Sequence, residues 1–335
     1  MKKYTVLFAA LAVIALAGCK KEENKVNGIL VGGEKFVNMD KQAYSPDFQY
    51  VMFDGTDGFL FNNVEYDYTM VDNPTDRNEV TTYSNYAVLN VPGSAIPDGE
   101  VTMLYPSTVF PLNFSATGMM MVSEAPNAGD PNAVDGCVWP MGYHVDNFSS
   151  HGTIQLKNAV AIITPAVKYG APCMQNLFAR NPAFANLTFD NANPPVMTVT
   201  HVELVANSKL TGDAVVVFDE NDLPTVQMSD AMTGATDVLD MDAPNLGVNI
   251  PFAGNSINIV GNMPVTPELN GAELTINLYF TLNCGTQTFN CKYSGEPIDP
   301  TTLATTTVPV QRSKRTTLVA NMFTAQNWER ITVLD

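Results

Sequence analysis

The chain has 335 residues, a hydrophobic fraction of 45%, a charged fraction of 15% and a formal net charge of −17 at pH 7. This length and apolar content are enough for one large or two medium domains. The acidic balance argues against nucleic acid and anionic headgroups as electrostatic partners, and it would grow if Lys2 and Lys3 were removed.

The N-terminal segment has the features of an export signal. A basic start precedes an apolar run from Val6 to Ala17, which is shorter than the roughly 18 apolar residues that span a bilayer. The run ends in small residues before Cys19, and this resembles the bacterial lipobox. We therefore predict a signal peptide over residues 1–18 and acyl chains, palmitate among them, on the Cys19 thiol. The alternative is an ordinary secretory signal in which the cysteine stands by chance.

A charged tether over residues 19–25 follows the predicted cleavage point. Its Lys20–Asn24 stretch resembles the tract that carries lipoproteins of the Bacteroidetes phylum to the outer face of the outer membrane. We expect a lipid-anchored, surface-exposed protein of that membrane, bound to it through Cys19. The alternative is a solvated linker that carries no address.

The rest of the chain reads as short strands separated by turns. The clearest strand is Leu274–Leu282, where apolar and polar residues alternate as in a half-buried strand of a sandwich. Asn158–Tyr169 is apolar on both faces, which indicates a central strand that Pro165 should end or bulge. The same pattern predicts strands at Val80–Val91, Val199–Leu204, Ser256–Val260 and Thr316–Phe323.

Helical signals are scarce along the chain. One helix is predicted after Pro172, with Pro182 as its stop. Short strands, frequent turns and little helix indicate an all-β fold built of β-sandwiches. Because one sandwich needs fewer residues than this chain has, we predict two, over residues 26–190 and 191–335, with the boundary in the irregular stretch Arg180–Pro195.

Four cysteines remain after Cys19: Cys137, Cys173, Cys284 and Cys291. An even number in an oxidising compartment allows disulfides, and four cysteines can pair in three ways. Cys284 and Cys291 lie on one predicted hairpin and are the best candidates for a bridge. A zinc site is not favoured, because the sequence has no Cys-x-x-Cys pair.

The sequence offers no arrangement of residues typical of catalysis. No histidine stands in a His-Glu-x-x-His pattern, and Pro92–Ala95 lacks the Gly-x-Ser-x-Gly elbow of hydrolases. The acidic stretches Asp219–Asp222 and Asp237–Asp242 do not follow the EF-hand spacing for Ca²⁺. We therefore predict that the protein is not an enzyme and uses no metal or cofactor.

Several short segments together resemble the fimbrillin family, the pilins and pilus-associated lipoproteins of Bacteroidetes. They include the lipobox with its charged tether and are otherwise spread over most of the chain. These segments are Val101–Pro106, Leu156–Ala161, Val202–Leu204 with Lys209–Gly212, and Val310–Leu318.

The resemblance implies two transthyretin-like β-sandwich domains and a structural role in a pilus or adhesive appendage. In that family a trypsin-like protease cuts after arginine and removes an N-terminal strand, and a strand from the next subunit fills the groove. Here the removable strand would lie near Val26–Val31, and the donor would be Trp328–Leu334. The candidate strand-exchange residues are Val26, Ile29, Leu30, Val31, Ile331 and Val333. The implied partners are other pilus subunits or further copies of the chain, together with host or bacterial surface ligands.

One feature departs from the family pattern. No arginine lies between Cys19 and Arg77, and the same stretch holds lysines such as Lys25, Lys35 and Lys41. Either another protease removes the strand, or the chain stays uncut as a lipid-bound anchor or accessory subunit.

A monomeric glycan-binding surface lipoprotein is the alternative function. This alternative is based on the tyrosines and on two tryptophans, Trp139 and Trp328, because flat aromatic rings can stack on sugars.

Overall fold

A computed structural model describes residues 28–34, 37–38, 53, 58–71, 86–92, 99–107, 110, 112–114, 140–148, 153–241, 247–252, 257–296, 298 and 309–334. Strands are numbered in chain order. These ranges are called the described residues.

The first sheet has eight strands in the order β4-β3-β7-β9-β10-β1-β6-β5. Neighbouring strands run antiparallel except β1 and β10, which are parallel. The strands are β1 Ile29–Gly33, β3 Phe59–Phe61, β4 Val64–Tyr66, β5 Tyr68–Met70, β6 Tyr86–Leu89, β7 Gly99–Tyr105, β9 Met141–Phe148 and β10 Thr153–Asn158.

The second sheet is built on a parallel pair, β11 and β21, with β2 beyond β21. The outer side of β11 pairs with β18 at one end and with β17 at the other. The strands are β2 Val37–Asn38, β11 Ala161–Tyr169, β17 Ile257–Ile259, β18 Met263–Val265 and β21 Lys314–Met322.

The third sheet is antiparallel, in the order β15-β12-β19-β20-β22. Strand β16 also pairs with β12, on the same edge as β15. Its strands are β12 Val196–Ala206, β15 Asp237–Met241, β16 Val248–Ile250, β19 Leu274–Cys284, β20 Gln287–Gly295 and β22 Ile331–Leu334.

A small fourth sheet and a few helical segments complete the described structure. This sheet has the strand order β14-β13-β8, and its strands are β14 Pro224–Met228, β13 Gly212–Phe218 and β8 Leu112–Phe114. The α-helix, α1, covers Ala171–Arg180 and is followed by a 3-10 turn at Pro182–Phe184. Two further 3-10 turns lie at Pro267–Leu269 and Ala325–Arg330.

Two hydrophobic cores hold these sheets together. The first lies under the eight-stranded sheet and includes Ala214 of β13 and Val226 of β14. The second lies between the second and third sheets and takes in the buried face of α1. Strand β11 reaches both, because Ile162 belongs to the first core and Ile163 to the second. The predicted all-β sandwich architecture is confirmed, and elements from both sides of residue 190 contribute to each core.

Several predicted elements are confirmed. Leu274–Leu282 lies within β19 with its apolar face buried, although Asn277 on the polar face is also only 8% exposed. The helix after Pro172 ends at Arg180, before Pro182. The predicted strands near Val199, Ser256 and Thr316 correspond to β12, β17 and β21. The part of the Val80–Val91 strand before Tyr86 lies outside the described residues.

Pro165 does not end the strand in which it lies. Strand β11 runs on to Tyr169 and is buried along its whole length. The Pro165 carbonyl faces the side of β17 and β18 and accepts a hydrogen bond from the Val260 N–H at 2.9 Å. On this side β11 changes partner from β18 at Ile163 to β17 at Ala166. The ladder of hydrogen bonds between β11 and its partners on this side is interrupted at Pro165. A proline is tolerated there because its missing N–H removes no hydrogen bond to a neighbouring strand.

The predicted Cys284–Cys291 disulfide is wrong in this structure, where both cysteines are free thiols. In the β19–β20 ladder Cys284 faces Gln287, whereas Cys291 faces Phe280, four residues before Cys284 on its strand. At roughly 3.3 Å per residue, this offset exceeds the Cα separation of about 7 Å that a disulfide tolerates. Cys173 is also free, and Cys137 lies outside the described residues.

Candidate strand-exchange site

Strand β1 lies inside the first sheet rather than at its edge. It runs parallel to β10, with Leu30 opposite Thr153, and antiparallel to β6, with Leu30 opposite Val88. Its backbone is therefore paired on both sides. Without β1 the edges of β10 and β6 would both be left unpaired, and each would present a row of free N–H and C=O groups.

Both faces of β1 are buried. Ile29 and Val31 are 2% and 0% exposed and point into the first core. Leu30 points the other way and packs with Val71 and Val88 in a separate small cluster. The place that β1 occupies is thus an apolar slot with pockets on alternate sides, which suits a strand whose side chains alternate in the same way.

Two glycines allow the sheet to close around this strand. A Cβ atom added at Gly28 would collide with Cγ1 of Val88, a buried side chain. A Cβ at Gly32 would lie 3.0 Å from Cε1 of Tyr86 and 3.2 Å from Oε1 of Gln155. Gly28 is the tighter position, because the atom it would meet belongs to a short, fully packed side chain.

Beyond the strand, the carboxylate of Glu34 is held by three donors that meet at one oxygen. Its Oε2 accepts hydrogen bonds from the Ser313 hydroxyl at 2.6 Å, from the Arg312 guanidinium at 2.8 Å and from the Asn158 backbone N–H at 3.0 Å. The Nζ atom of Lys157 lies 3.8 Å from the other oxygen. Asn158, Arg312 and Ser313 are called the Glu34-binding residues below.

Local structure fixes the position of the Glu34-binding residues. Asn158, at the end of β10, is fully buried, and its side-chain amide donates to the Ser313 hydroxyl at 2.9 Å. Ser313 stands in a turn that the Lys314 N–H closes on the Gln311 carbonyl, and its φ of 59° is left-handed. The Ser313 N–H also donates to the Val160 carbonyl at 3.0 Å. The second hydrogen bond from the Arg312 guanidinium goes to the Asn158 carbonyl at 2.9 Å.

This environment keeps Glu34 ionised. Burial acts to raise the pKa of its carboxyl group. The hydrogen bonds from Ser313 and Arg312, the charge of Arg312 and the Asn158 N–H outweigh burial, so the pKa lies below its ordinary value of 4.5. The side chains of Glu34 and Arg312 are 21% and 20% exposed, so solvent screens the pair only in part.

The candidate donor segment ends the described chain as an edge strand. Among the described residues, strand β22 pairs with β20 alone, with Ile331 opposite Tyr293 and Val333 opposite Cys291. Ile331 is 4% exposed, whereas Leu334 is 37% exposed and Thr332 also faces solvent. A strand that is paired on one side and buried at few positions separates from its sheet at lower cost than a central strand such as β1.

The remaining candidate residues fall into two groups. Cys19, Val26, Trp139 and His151 lie outside the described residues. His144, His201 and Trp328 are partly buried on or beside the sheets. His144 contacts Asp222 and Glu100, His201 contacts Asp240 and Glu203, and the Trp328 ring lies 6.0 Å from the Arg180 guanidinium.

The two acidic stretches of the sequence lie mostly within the described residues. The carboxylate of Asp219 accepts hydrogen bonds from the backbone N–H groups of Asn221 and Leu223, and that of Asp237 accepts them from Leu210 and Thr211. None of the described His, Cys, Asp and Glu side chains form a group that could hold a metal ion. In the same part of the chain, no helix has the length and apolarity needed to cross a membrane.

Glu34 and its binding residues form no pattern that can be recognised from sequence. Glu34 lies 278 residues from Arg312 along the chain, so no local spacing links them. One signal was present, since the segment Val310–Leu318 was already singled out by the family resemblance.

A scan against protein-family descriptions gives no match, and a search among curated proteins gives none either. A search among solved structures gives matches of low identity. A candidate cell adhesion protein from Bacteroides ovatus is 12% identical, with 94% of this chain and 97% of that chain covered and a TM-score of 0.38. Another from Bacteroides fragilis is 10% identical, with 88% and 92% covered and a TM-score of 0.41.

The fimbrial anchor protein Mfa2 from Porphyromonas gingivalis is 9% identical, with 82% of this chain and 79% of that chain covered and a TM-score of 0.19. Because the identities are low and the TM-scores modest, we transfer no role from these proteins to the chain.

Proposed function

We propose that this chain is a fimbrillin-like surface lipoprotein, a structural or anchor subunit of a pilus or related adhesive appendage. Its lipid would sit on Cys19, and its two transthyretin-like domains would cover residues 26–190 and 191–335. Subunits would join by β-strand addition, in which a strand of one subunit enters the first sheet of another in place of β1.

The placement of β1 is the observation that carries this proposal. The strand is short, it lies between β10 and β6, and both of its faces are buried. Its departure would leave two unpaired strand edges around an apolar slot. That arrangement recruits an extended strand, because the main chain supplies the hydrogen bonds and alternate side chains fill the pockets.

The C-terminal segment has the right pattern for the donor. Ile331 and Val333 are separated by one residue, as are Ile29 and Val31, so both pairs present an isoleucine and a valine to one face of a strand. In its own chain this segment is paired on one side only. Its contacts with the second core are those of the buried Ile331 and the partly buried Trp328 and Val333, so its departure exposes less of that core than the loss of a central strand would.

Two variants of the donor segment test the proposal in cells that make the protein. Val333→Asp places a charge on the slot-facing side of the donor, whereas Gln326→Asp places the same charge on an exposed residue that precedes the donor segment. We expect the wild-type chain and Gln326→Asp in purified surface appendages, and Val333→Asp in folded form but outside them. Strand addition by this segment is rejected if Val333→Asp is incorporated as well as the wild type, and the appendage role is rejected if no appendage contains the chain.

The N-terminal residue of the surface protein, read by mass spectrometry, separates two versions of the role. A lipidated Cys19 identifies an uncut anchor or accessory subunit, while a start beyond Val31 identifies a processed, polymerising subunit. Cys19→Ala should remove the chain from the membrane fraction. If Cys19→Ala remains membrane-bound, lipid on this residue is not the anchor.

A further inference from the structure

We propose that a cleft beside the end of the third sheet binds one ring of a neutral saccharide. The cleft lies between residues 187–195, which lead into β12, and the turn that joins β19 to β20, and the last turn of α1 also contributes to it. This inference goes beyond the proposed appendage role and does not depend on strand addition.

The cleft has an apolar floor and a polar rim. Phe178 is 7% exposed and Pro195 is buried, so these two lining residues form the floor. The polar lining residues are all exposed and form the rim: Thr188, Asp190, Asn193 and Asn283. A concave site with apolar contact surface and a few convergent polar groups is typical of small-ligand binding.

The size of the cleft limits the ligand to one ring. Its volume is about 120 Å³, and an enclosed cavity of about 150 Å³ holds a benzene ring. Pockets for drug-sized molecules have about 300 to 1,000 Å³. A single six-membered ring therefore fits, and further units of an oligosaccharide would extend into solvent.

Asp190 and Asn193 present an acceptor and a donor side by side. Asp190 Oδ1 accepts a hydrogen bond from the Ala192 N–H at 2.8 Å, and its Oδ2 accepts one from Asn193 Nδ2 at 2.7 Å. An amide has two N–H donors and an acceptor oxygen, so Asn193 keeps hydrogen-bonding capacity for a ligand. Because a sugar hydroxyl both donates and accepts, two neighbouring hydroxyls can bind the carboxylate and the amide together.

Two further side chains complete the polar rim. Asn283, near the end of β19, pairs with Val196 of β12, which is 55% exposed and adds apolar surface beside the cleft. Within the described part of the chain, neither the Asn283 amide nor the Thr188 hydroxyl hydrogen-bonds to another side chain. Both are therefore solvated, and the hydroxyls of a saccharide can replace that water without leaving a polar group unpaired.

The charge of the lining favours a neutral ligand. Among the described residues that line the cleft, Asp190 is the one carboxylate, and none is a lysine, arginine or histidine. The hydrogen bond from Asn193, followed by that from the Ala192 N–H, lowers the pKa of Asp190, which is therefore ionised at neutral pH. A hydroxyl can give this carboxylate a charge-assisted hydrogen bond, whereas an anionic sugar would meet it without a balancing cation.

Aromatic rings hold the cleft in shape. Phe178 stacks on Phe184 with ring centroids 4.6 Å apart, and Phe189 packs edge-on against Phe178 at 5.7 Å. The Tyr169 hydroxyl donates to the Pro195 carbonyl at 2.8 Å and fixes the other end of the loop. Because the loop is ordered before a ligand arrives, little conformational entropy is lost on binding.

The test applies the full mature chain to an array of neutral hexose and N-acetylhexosamine glycans, with sialylated and sulfated glycans on the same array. We expect neutral glycans to bind. Cys284 provides a second readout, because it lines the cleft and a bound saccharide should slow the reaction of its thiol with maleimide.

Two variants place the binding in the cleft. Asp190→Asn should weaken binding about tenfold, since it removes a charged acceptor, and Asn283→Ala about three- to tenfold. Asn290→Ala is the matched control, because it removes an exposed asparagine of β20 that does not line the cleft. Circular dichroism shows whether each variant is folded.

The proposal is overturned if no neutral glycan binds, if anionic glycans alone bind, or if both cleft variants bind like the wild type. Binding without protection of Cys284 also contradicts it. Trp328→Ala should bind like the wild type, and if it abolishes binding while Asp190→Asn does not, the saccharide site lies elsewhere. Incorporation of Val333→Asp into appendages is measured separately, so strand addition and saccharide binding can each fail alone.

Discussion

The Ser313 hydroxyl donates a 2.6 Å hydrogen bond to the carboxylate of Glu34, 279 residues earlier in the chain. Glu34 follows β1 of the first sheet, and Ser313 precedes β21 of the second. The contact therefore joins the first described strand to a turn near the end of the chain. Because the contact is made by one carboxylate, the stability with which β1 is held in the first sheet depends on the charge of Glu34.

Glu34→Gln should lower the free energy of unfolding by about 1 to 2 kcal/mol at pH 7, since a carboxylate that accepts three hydrogen bonds is replaced by a weaker, neutral acceptor. Chemical denaturation monitored by circular dichroism measures the change. Glu273→Gln is the control, because that side chain is exposed and the substitution should have little effect. Equal stability of Glu34→Gln and the wild type would show that the Glu34 contacts add no net stability.

The same variant should change the pH dependence of stability. The pKa of Glu34 is lowered in the folded chain, so its contribution is fully present above the ordinary value of 4.5 and is lost as the pH falls through the folded pKa. The difference in unfolding free energy between wild type and Glu34→Gln should shrink below that pH. A difference that stays constant down to pH 3 would contradict the lowered pKa.

His144 should contribute with the opposite sign. Its hydrogen bond with Asp222 is the main cause of a raised pKa, burial opposes it, and Glu100 adds to the rise. The contribution should be fully present below the ordinary value of 6.5 and disappear as the pH rises through the folded pKa. Because the Glu100 and Asp222 side chains are 72% and 49% exposed, solvent screens both pairs, and the effect on stability is expected to be under about 1 kcal/mol.

His144→Gln and Asp222→Asn provide the measurement for this pair. Each should show a smaller change in stability between pH 5 and 9 than the wild type, and the two should agree because they break the same 2.6 Å contact. The NMR titration of the His144 ring reports the pKa directly. A pKa at or below 6.5 in the wild-type protein would refute the prediction.

The alternation of apolar and polar residues predicted correctly which side chains of a strand face the core. It did not predict which strands pair with each other. Leu274, Ile276, Leu278 and Phe280 are buried as the pattern requires, because a face is a local property of a strand. The same pattern could not show that Asn277 on the other face is buried too. Its amide donates to Glu203 on the neighbouring strand, and that contact depends on the pairing of β12 with β19.

Long-range pairing also explains what the sequence missed at the candidate site. The pattern places Ile29, Leu30 and Val31 together, but nothing local indicates that β10 and β6 flank them. The disulfide prediction failed for a similar reason, since being on one hairpin does not place two cysteines opposite each other. Where the two domains divide stays a prediction, because β13 and β14 pack on the first core although they follow residue 190.

Tyr169→Phe should lower the free energy of unfolding by about 1 kcal/mol or more. The Tyr169 hydroxyl is buried and donates to the Pro195 carbonyl at 2.8 Å, so its removal leaves that carbonyl without this partner. Burial strongly raises the pKa of Tyr169, which keeps the hydroxyl protonated as a donor. Tyr279→Phe, at a half-buried tyrosine bonded to Glu203, should cost less. The reverse order in thermal or chemical denaturation would contradict this assignment.

Gly28→Ala tests the fit of the chain around β1. The new Cβ would overlap Cγ1 of the buried Val88, so the strand or the valine must move, and overpacking of this kind costs about 1 to 3 kcal/mol. Gly247→Ala is the matched control, because nothing lies within 4 Å of its added Cβ and its φ does not require glycine. Equal stability of the two variants would show that the Gly28 contact relaxes at no cost.

The cysteines should differ in their reactivity in the native protein. Burial raises the pKa of Cys173 and Cys291 to about 12, so neither thiol is ionised near neutral pH and neither is accessible. The pKa of the half-buried Cys284 is also raised by burial, but its sulfur is nearer to solvent. With an excess of maleimide at pH 8, Cys284 should be labelled first, and Cys173 and Cys291 only after unfolding. Mass spectrometry of peptides from protein purified without reductant provides the check. A Cys284–Cys291 linked peptide, or labelling of Cys291 before Cys284, would contradict the register of β19 and β20 from which the free thiols follow.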